Sequence, residues 1–419
     1  MITFIEALNY RCLRYISRPL DSFHVLVGPN ASGKSTFLDV VAFLQEVVSD
    51  GLEDALSNRA SNPEELLFRR QGEGFELAIE ARIPEDIRRQ TARKELDTAR
   101  YEVAIGFDET QRRFEFKSET FRLKKAAVVN PQRPLLFPMS AIPPRSLVTR
   151  KGQSQERLVI SKVPGGNDNF YSEIYARPGK GWAPSFKLGP HRSALGNLPA
   201  DEKSFPVATW FRELLNTGVQ RFVLNSLQIK RPSPPQRVKG FLPDGSNLPW
   251  VIAHLREQDP GRYKSWISHL QTALTDFKEI TTVERPEDKH CYMVFGYEGG
   301  VAVPSWLVSD GTLRLAALTL PAYLNNIRGV YLIEEPENGI HPGAISTVYD
   351  SLSSVYGAQV LLATHSTVIL NAARASDVLC FAKDEAGSTD IVLGAEHPRL
   401  REWRGETSLG ALLASGILG

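Results

Sequence analysis

Cysteine is scarce: Cys12, Cys291 and Cys380 are the only three in 419 residues, far apart and without a C-x-x-C pair. So sparse a set excludes a disulfide scaffold and a cysteine-built zinc site, and it fits a reducing compartment. Net charge is nearly missing as well. Lys+Arg 49 against Asp+Glu 48 leaves +1, which excludes a wholesale polyanion binder but not a local basic patch. No segment reaches about 18 uninterrupted apolar residues, and the opening MITFIEALNYR lacks a charged region running into an apolar one. The expectation is a soluble cytoplasmic protein with no membrane partner. There is no internal repeat and no heptad run long enough for a coiled coil; the charged helical pattern Asp86–Arg100 spans only about two heptads. What is present is 42% hydrophobic and 23% charged sequence, enough to bury a core. The length leaves room for two or three domains of roughly 100–200 residues.

The clearest local pattern lies within the first 50 residues. An apolar strand, Phe23–Val27, runs into GPNASGKST and then into an amphipathic helix with Phe37, Val41, Leu44 and Val48 on one stripe. Period-2 alternation follows over Phe75–Ile83, Tyr101–Phe107 and Arg113–Leu123, with Asp108–Gln111 suited to a hairpin connection. Residues 130–200 are rich in Pro, Gly and Ser and hold one further hairpin, Leu158–Val163 with Phe170–Tyr175. Helical patterns cover Val207–Leu215, about Arg262–Phe277, and Leu313–Tyr323. From Gly329 the grammar is buried strand, helix, buried strand: Val330–Ile333, Ala344–Tyr356, Gln359–Ala363. That is α/β order with a parallel sheet.

Gly28-Pro29-Asn30-Ala31-Ser32-Gly33-Lys34-Ser35, followed by Thr36, matches G-x-x-x-x-G-K-[ST]. Glycines let backbone N–H groups turn inward around phosphate oxygens, and the helix start adds its dipole. Lys34 supplies a cation to the β- and γ-phosphates, and the Ser35 hydroxyl suits Mg2+. Chance yields roughly 0.01–0.02 such matches in a chain of this length.

Val330–Ile333 ends in Glu334-Glu335-Pro336-Glu337-Asn338. One carboxylate at such a strand end can hold Mg2+ through its water shell, and a second can polarise an attacking water. Adjacent residues point to different sides, which suits two roles. Gln359–Ala363 leads to Thr364-His365-Ser366, placing His365 where open α/β sheets bind ligands. Ser309-Asp310-Gly311 opens an apolar helix. Ser309 or Asp310 is a natural N-cap; Ser309 and Gly311 could also face a phosphate, in which case they would serve a second subunit.

These elements, in this order, resemble the ABC-type ATPase heads of the SMC, RecF and overcoming-lysogenization-defect (OLD) groups, most of all the bacterial OLD-like ATPases of the AAA family. The residues carrying the likeness are Asn9-Tyr10-Arg11, GPNASGKST, SDGTLRLAALTL from Ser309, LIEEPENGIHP from Leu332 and ATHS from Ala363; DGSNL from Asp244 and the Ser408–Gly419 end also look familiar. The resemblance implies a P-loop ATPase head, with a central mainly parallel sheet, an antiparallel β-subdomain and a mixed α/β insertion. It divides the chain at 1–125, 126–299 and 300–419.

It further implies an ATP sandwich between two heads. Each would use its own Gly28–Thr36 loop, Glu334 for Mg2+, Glu335 as general base and His365 as switch, with Ser309 and Gly311 coming from the partner. ATP and Mg2+ are the expected cofactors. Glu334 stands where Asp is more frequent, Ala31 stands where Gly is, which should be tolerated if its φ is negative, and the glutamine loop is not located, Gln153 and Gln155 being candidates. The residues after His365 are too few for the Toprim nuclease of full OLD proteins, so a nuclease or toxin partner, encoded nearby, is expected, in a process such as anti-phage defence. The alternatives are a RecF-like maintenance ATPase binding DNA through Arg122-Lys124-Lys125 or Lys230-Arg231…Arg237-Lys239, a transporter subunit, whose heads bring the two motifs much closer than Lys34 and Ser309 are here, and a scaffold that binds nucleotide without turning it over.

Overall fold

Alternate residues of the central strands belong to two different cores, and that arrangement organises the molecule. The computed structural model describes residues 1–108, 113–127, 136–149, 155–175, 183–235, 240–325, 327–400, 408–416 and 418. Its central sheet runs β10 (Val219–Phe222), β14 (Gly329–Glu334), β15 (Ala358–Ala363), β3 (Phe23–Val27), β16 (Val378–Lys383) and β17 (Thr389–Leu393). All neighbours are parallel except β16 and β17. Leu26, Val330, Leu332, Leu361 and Ala363 pack into one core; Val25, Val27, Tyr331, Ile333, Val360 and Leu362 pack into the other. A strand buried on both faces needs an unbroken apolar run, as Val25–Val27, Val330–Ile333 and Val360–Ala363 have.

On the first side, helix α1 (Lys34–Ser49) lies between the central sheet and an antiparallel one. The latter is ordered β2 (Leu13–Pro19), β1 (Ile2–Tyr10), β4 (Gly74–Arg82), β5 (Thr98–Asp108), β6 (Arg113–Lys124), β7 (Arg157–Lys162), β8 (Asp168–Phe170) and β9 (Ser185–Phe186). Phe37, Val41, Leu44 and Val48 of α1 are buried, as their spacing predicts. On the second side lie the helices Leu248–Gln258, Pro260–Gln271, Asp310–Thr319 and Ile345–Ser353. With them is a small sheet of β11 (Phe277–Glu284), β12 (Cys291–Tyr297) and β13 (Ala302–Pro304). Residues 126–299 therefore contribute β7–β9 to the antiparallel sheet and β10 to the central one, besides the small sheet's first strands.

Three expectations need correction. The charged pattern Asp86–Arg100 is helical only over Glu85–Arg88, and β5 claims its end. The helix expected to reach Phe277 stops at Gln271: Asp276 takes a left-handed φ of 64°, and Phe277 starts β11. Arg122-Lys124-Lys125 is not a free basic patch. Arg122 is 1% exposed and pairs with Glu156 at 2.9 Å, while Lys124 pairs with Glu80 at 2.7 Å. These charges stand on the face of the antiparallel sheet turned from the core, where Ser146, Leu147 and Thr149 donate to Glu76 and Glu102 and cover it. Lys230 of the second patch is paired with Asp310; Arg237 and Lys239 fall outside the described residues, as do Gln153 and the hairpin tip 109–112. Among the described residues, no helix is long and apolar enough to cross a membrane.

Candidate functional site

Parallel neighbours β14, β15 and β3 end on the same edge of the central sheet, and each hands its next residues to that edge. From β3 comes the phosphate loop. Gly33 caps α1 with φ 107°, and a Cβ there would sit 2.4 Å from Thr389 Oγ1, so the position is closed to any side chain. Thr389 braces the loop from β17: its Oγ1 donates to Ser32 O at 2.8 Å and its N to Cys12 O at 3.0 Å. Lys34 Nζ donates to Gly28 O at 2.9 Å and Pro29 O at 3.0 Å, inside its own loop. Burial lowers its pKa, against the raising pull of Glu335 and Glu334. Ala31 departs from expectation: its φ is +60°, the left-handed region, so it is a strained residue in the loop.

From β14 come the acids. Glu334 Oε2 accepts from the Ser35 hydroxyl, and Oε1 accepts from the Arg221 guanidinium at 2.7 Å. Glu335 leaves the strand with φ +47°, its N–H donating to Ala363 O at 2.8 Å and its carboxylate accepting from Asn338 Nδ2. Backbone strain of this kind concentrates at working sites. Glu337 Oε1 then accepts from Thr364 Oγ1 at 2.7 Å and His365 N at 2.9 Å, fastening the acidic turn to the turn after β15.

A cavity of about 580 Å³ results. It is lined by Asn30 to Thr36 of the loop, by Glu334, Glu335 and His365, and by Arg11, Cys12 and Lys383. The structure thus brings together the loop, both acids and the histidine. It does not bring Ser309 and Gly311 to this cavity. Ser309 Oγ caps its helix by accepting from Thr312 N at 3.2 Å, and Gly311 lies so close to Gly339 that a Cβ would meet its carbonyl oxygen at 2.5 Å. Gln155 is an exposed turn residue and does not line the cavity.

Sequence reasoning gave no role to Arg221, Glu337, Thr389, Cys12 or Lys383. Lys383 had a readable signal, a lone cation ending the apolar run of a strand; Arg221 had none, because only the pairing of β10 with β14 sets it beside Glu334.

The residues fit a nucleotide with Mg2+. The Ser32 hydroxyl is buried in the loop without a partner, an unmet hydrogen-bonding capacity where phosphate oxygens would lie. One hydroxyl, Ser35, and one carboxylate, Glu334, are a donor set for Mg2+, which keeps waters and takes substrate phosphate oxygens rather than an all-protein cage.

Fold and site define an ATPase head of the P-loop type. The chain belongs to the AAA-domain family described as "AAA domain, putative AbiEii toxin, Type IV TA system", whose model matches residues 23–133 and 188–371. No curated protein matches it. Solved structures share the fold: an SMC head bound to the C-terminal winged-helix domain of ScpA has a TM-score of 0.52 at 14% identity, covering 93% of this chain and 97% of that one. An SMC head with an extended coiled coil, bound to the C-terminal domain of ScpA derived from Pyrococcus furiosus, has 0.51 at 12%, covering 93% and 95%.

Proposed function

We propose that this protein is a Mg2+-dependent ATP hydrolase whose nucleotide-driven self-association acts on a partner. One observation carries the reading: Lys34, Ser35, Glu334, Glu335 and His365, from opposite ends of the chain, line one cavity. The loop amides and Lys34 hold the triphosphate. Ser35 and Glu334 would hold Mg2+, which would supply charge neutralisation for the triphosphate. Glu335 takes the proton of the attacking water, and exposed His365 senses the γ-phosphate. Phosphoryl transfer to water asks for positioning and charge neutralisation, which these groups offer.

Ser309 and Gly311, which lie away from this cavity, would serve the nucleotide of a second copy. The family's description, which names a putative AbiEii toxin of a type IV toxin–antitoxin system, favours a toxin–antitoxin setting; an anti-phage role with a nuclease or toxin partner is part of the proposal and rests on the motifs alone. Direct DNA binding has less support, since Arg122 and Lys124 are neutralised inside the fold.

The test combines calorimetry, phosphate release and light scattering. Lys34→Ala is expected to lose ATP binding. Glu335→Gln is expected to bind ATP, stop turning it over and accumulate as a dimer. Wild-type hydrolysis by Glu335→Gln, or unchanged affinity in Lys34→Ala, refutes the assignment.

A further inference from the structure

The two oxygens of Glu334 have different partners. Oε2 faces Ser35 and the cavity; Oε1 is held at 2.7 Å by Arg221, which does not line the cavity. Arg221 stands on β10, the edge strand of the central sheet, in register with Leu332 of β14, two residues before Glu334. Its side chain is 54% exposed and that of Glu334 25%. A glutamate carries three side-chain torsions, and an unheld one spreads its carboxylate over several rotamers.

Here the backbone of Glu334 is fixed by its pairing with Ala363, and the oxygen turned from the cavity is fixed by Arg221. Only the second oxygen is then left to face Ser35. The guanidinium is always charged and approaches from outside the cavity, so it need not leave when a cation enters between Ser35 and Oε2.

We infer that Arg221 is a positioning residue for the metal: it pins one oxygen of Glu334 so that the other is presented, ready oriented, to Mg2+ beside Ser35. This rests on Glu334 being the Mg2+-holding acid. Partners that orient a metal ligand typically contribute 10–100-fold to metal affinity.

The experiment is a Mg2+ titration of the full chain with ADP, read by the thermal unfolding midpoint, and with Mn2+ by electron paramagnetic resonance. Neither needs turnover. In Arg221→Met the half-saturating Mg2+ should rise about ten-fold, Arg221→Lys should recover part of that, and ADP affinity in excess chelator should be unchanged. In a Glu334→Gln background the Arg221→Met change should add nothing. An unaltered Mg2+ dependence in Arg221→Met overturns the inference; so does a lowered half-saturation, which would make the guanidinium a competitor of the metal. An additive effect in the Glu334→Gln background also overturns it, because Arg221 would then act through something else. If Glu334→Gln alone leaves the Mg2+ dependence at wild type, it is the metal assignment of Glu334 that fails.

Discussion

Replacing Gly311 by alanine tests whether the Ser309–Gly311 helix start controls the acidic turn from within one subunit. A Cβ at this position would lie 2.5 Å from the carbonyl oxygen of Gly339, 3.6 Å from its carbon and 3.7 Å from Ile340 Cα, whereas ordinary contact begins at 3.4 Å. Something has to yield by roughly 0.9 Å, an overpacking that costs about 1–3 kcal/mol. The helix is the stiffer side: Leu313, Leu315, Ala316, Ala317 and Leu318 are all buried. Gly339 belongs to a turn at the surface, and that turn carries Glu335 and its partner Asn338. Displacement of a reacting group by about 1 Å can cost 10²-fold in rate.

Gly311→Ala should therefore lower kcat by about 30–100-fold, leave ATP affinity within about two-fold because the phosphate loop is untouched, and lower the urea unfolding free energy by about 1–3 kcal/mol. The stability loss should be present without nucleotide, which a contact made only across a dimer could not produce. Gly261→Ala is the control, since its nearest neighbour is Asp259 Oδ1 at 3.5 Å within a helix. A Gly311→Ala protein with wild-type kcat and stability refutes the argument.

Two stability predictions follow from the same geometry. Ala31→Gly removes a left-handed alanine, worth about 1–2 kcal/mol, and adds glycine's unfolded-state freedom, so a net gain of about 0.5–1 kcal/mol is expected in urea unfolding; a destabilised variant contradicts the strain. Glu173 is fully enclosed, and burial pushes its carboxyl from 4.5 to about 8 although Val207 and Ala208 amides donate to it at 2.6 and 2.9 Å. Its native pKa lies above the unfolded one, so the native state binds the extra proton: stability is intact below about pH 4.5 and drains as pH rises toward 8, by roughly 3–5 kcal/mol. In Glu173→Gln that slope should vanish between pH 5 and 8; an unchanged slope assigns it to another group.

What could be read from the chain follows from where the determining contacts lie. The strand–loop–helix around Lys34 is local, with the spacing of Phe37, Val41, Leu44 and Val48 fixing the buried stripe, so the sequence alone displays it. Val330–Ile333 and Val360–Ala363 are apolar on every residue because both faces are covered, which is visible without knowing by what. Arg122 is the opposite case. Alternation along β6 turns it away from the core, and a charged residue so placed reads as solvated; only the segment reaching Thr149 encloses it, and no local pattern announces that cover. Asp276 likewise turns the chain into β11 by a left-handed backbone rather than through a Gly or Pro, so no residue type marks that switch.

The site depends on contacts between the ends of the chain more deeply than shared cavity lining alone requires. β3, which launches the phosphate loop, has β15 on one side and β16 on the other, so both its neighbours come from beyond residue 357. A buried clasp repeats the link at the far end of the sheet: Gln359 Nε2 donates to Ile2 O and Asp21 O at 2.7 Å, and its Oε1 accepts from Ile2 N at 3.0 Å. Gln359 is fully enclosed, so these bonds have no water to compete with them and no substitute if lost. Strand β3 therefore has all its sheet hydrogen bonds with strands of the C-terminal part, and β15, one of the two, also pairs with β14, which carries the two acids. A ligand that needs both halves consequently stabilises the whole central sheet by mass action, not the loop alone. Thermal or urea unfolding of the full chain should therefore shift to higher stability with added nucleotide as one transition rather than two, because β3 joins the loop to the C-terminal strands.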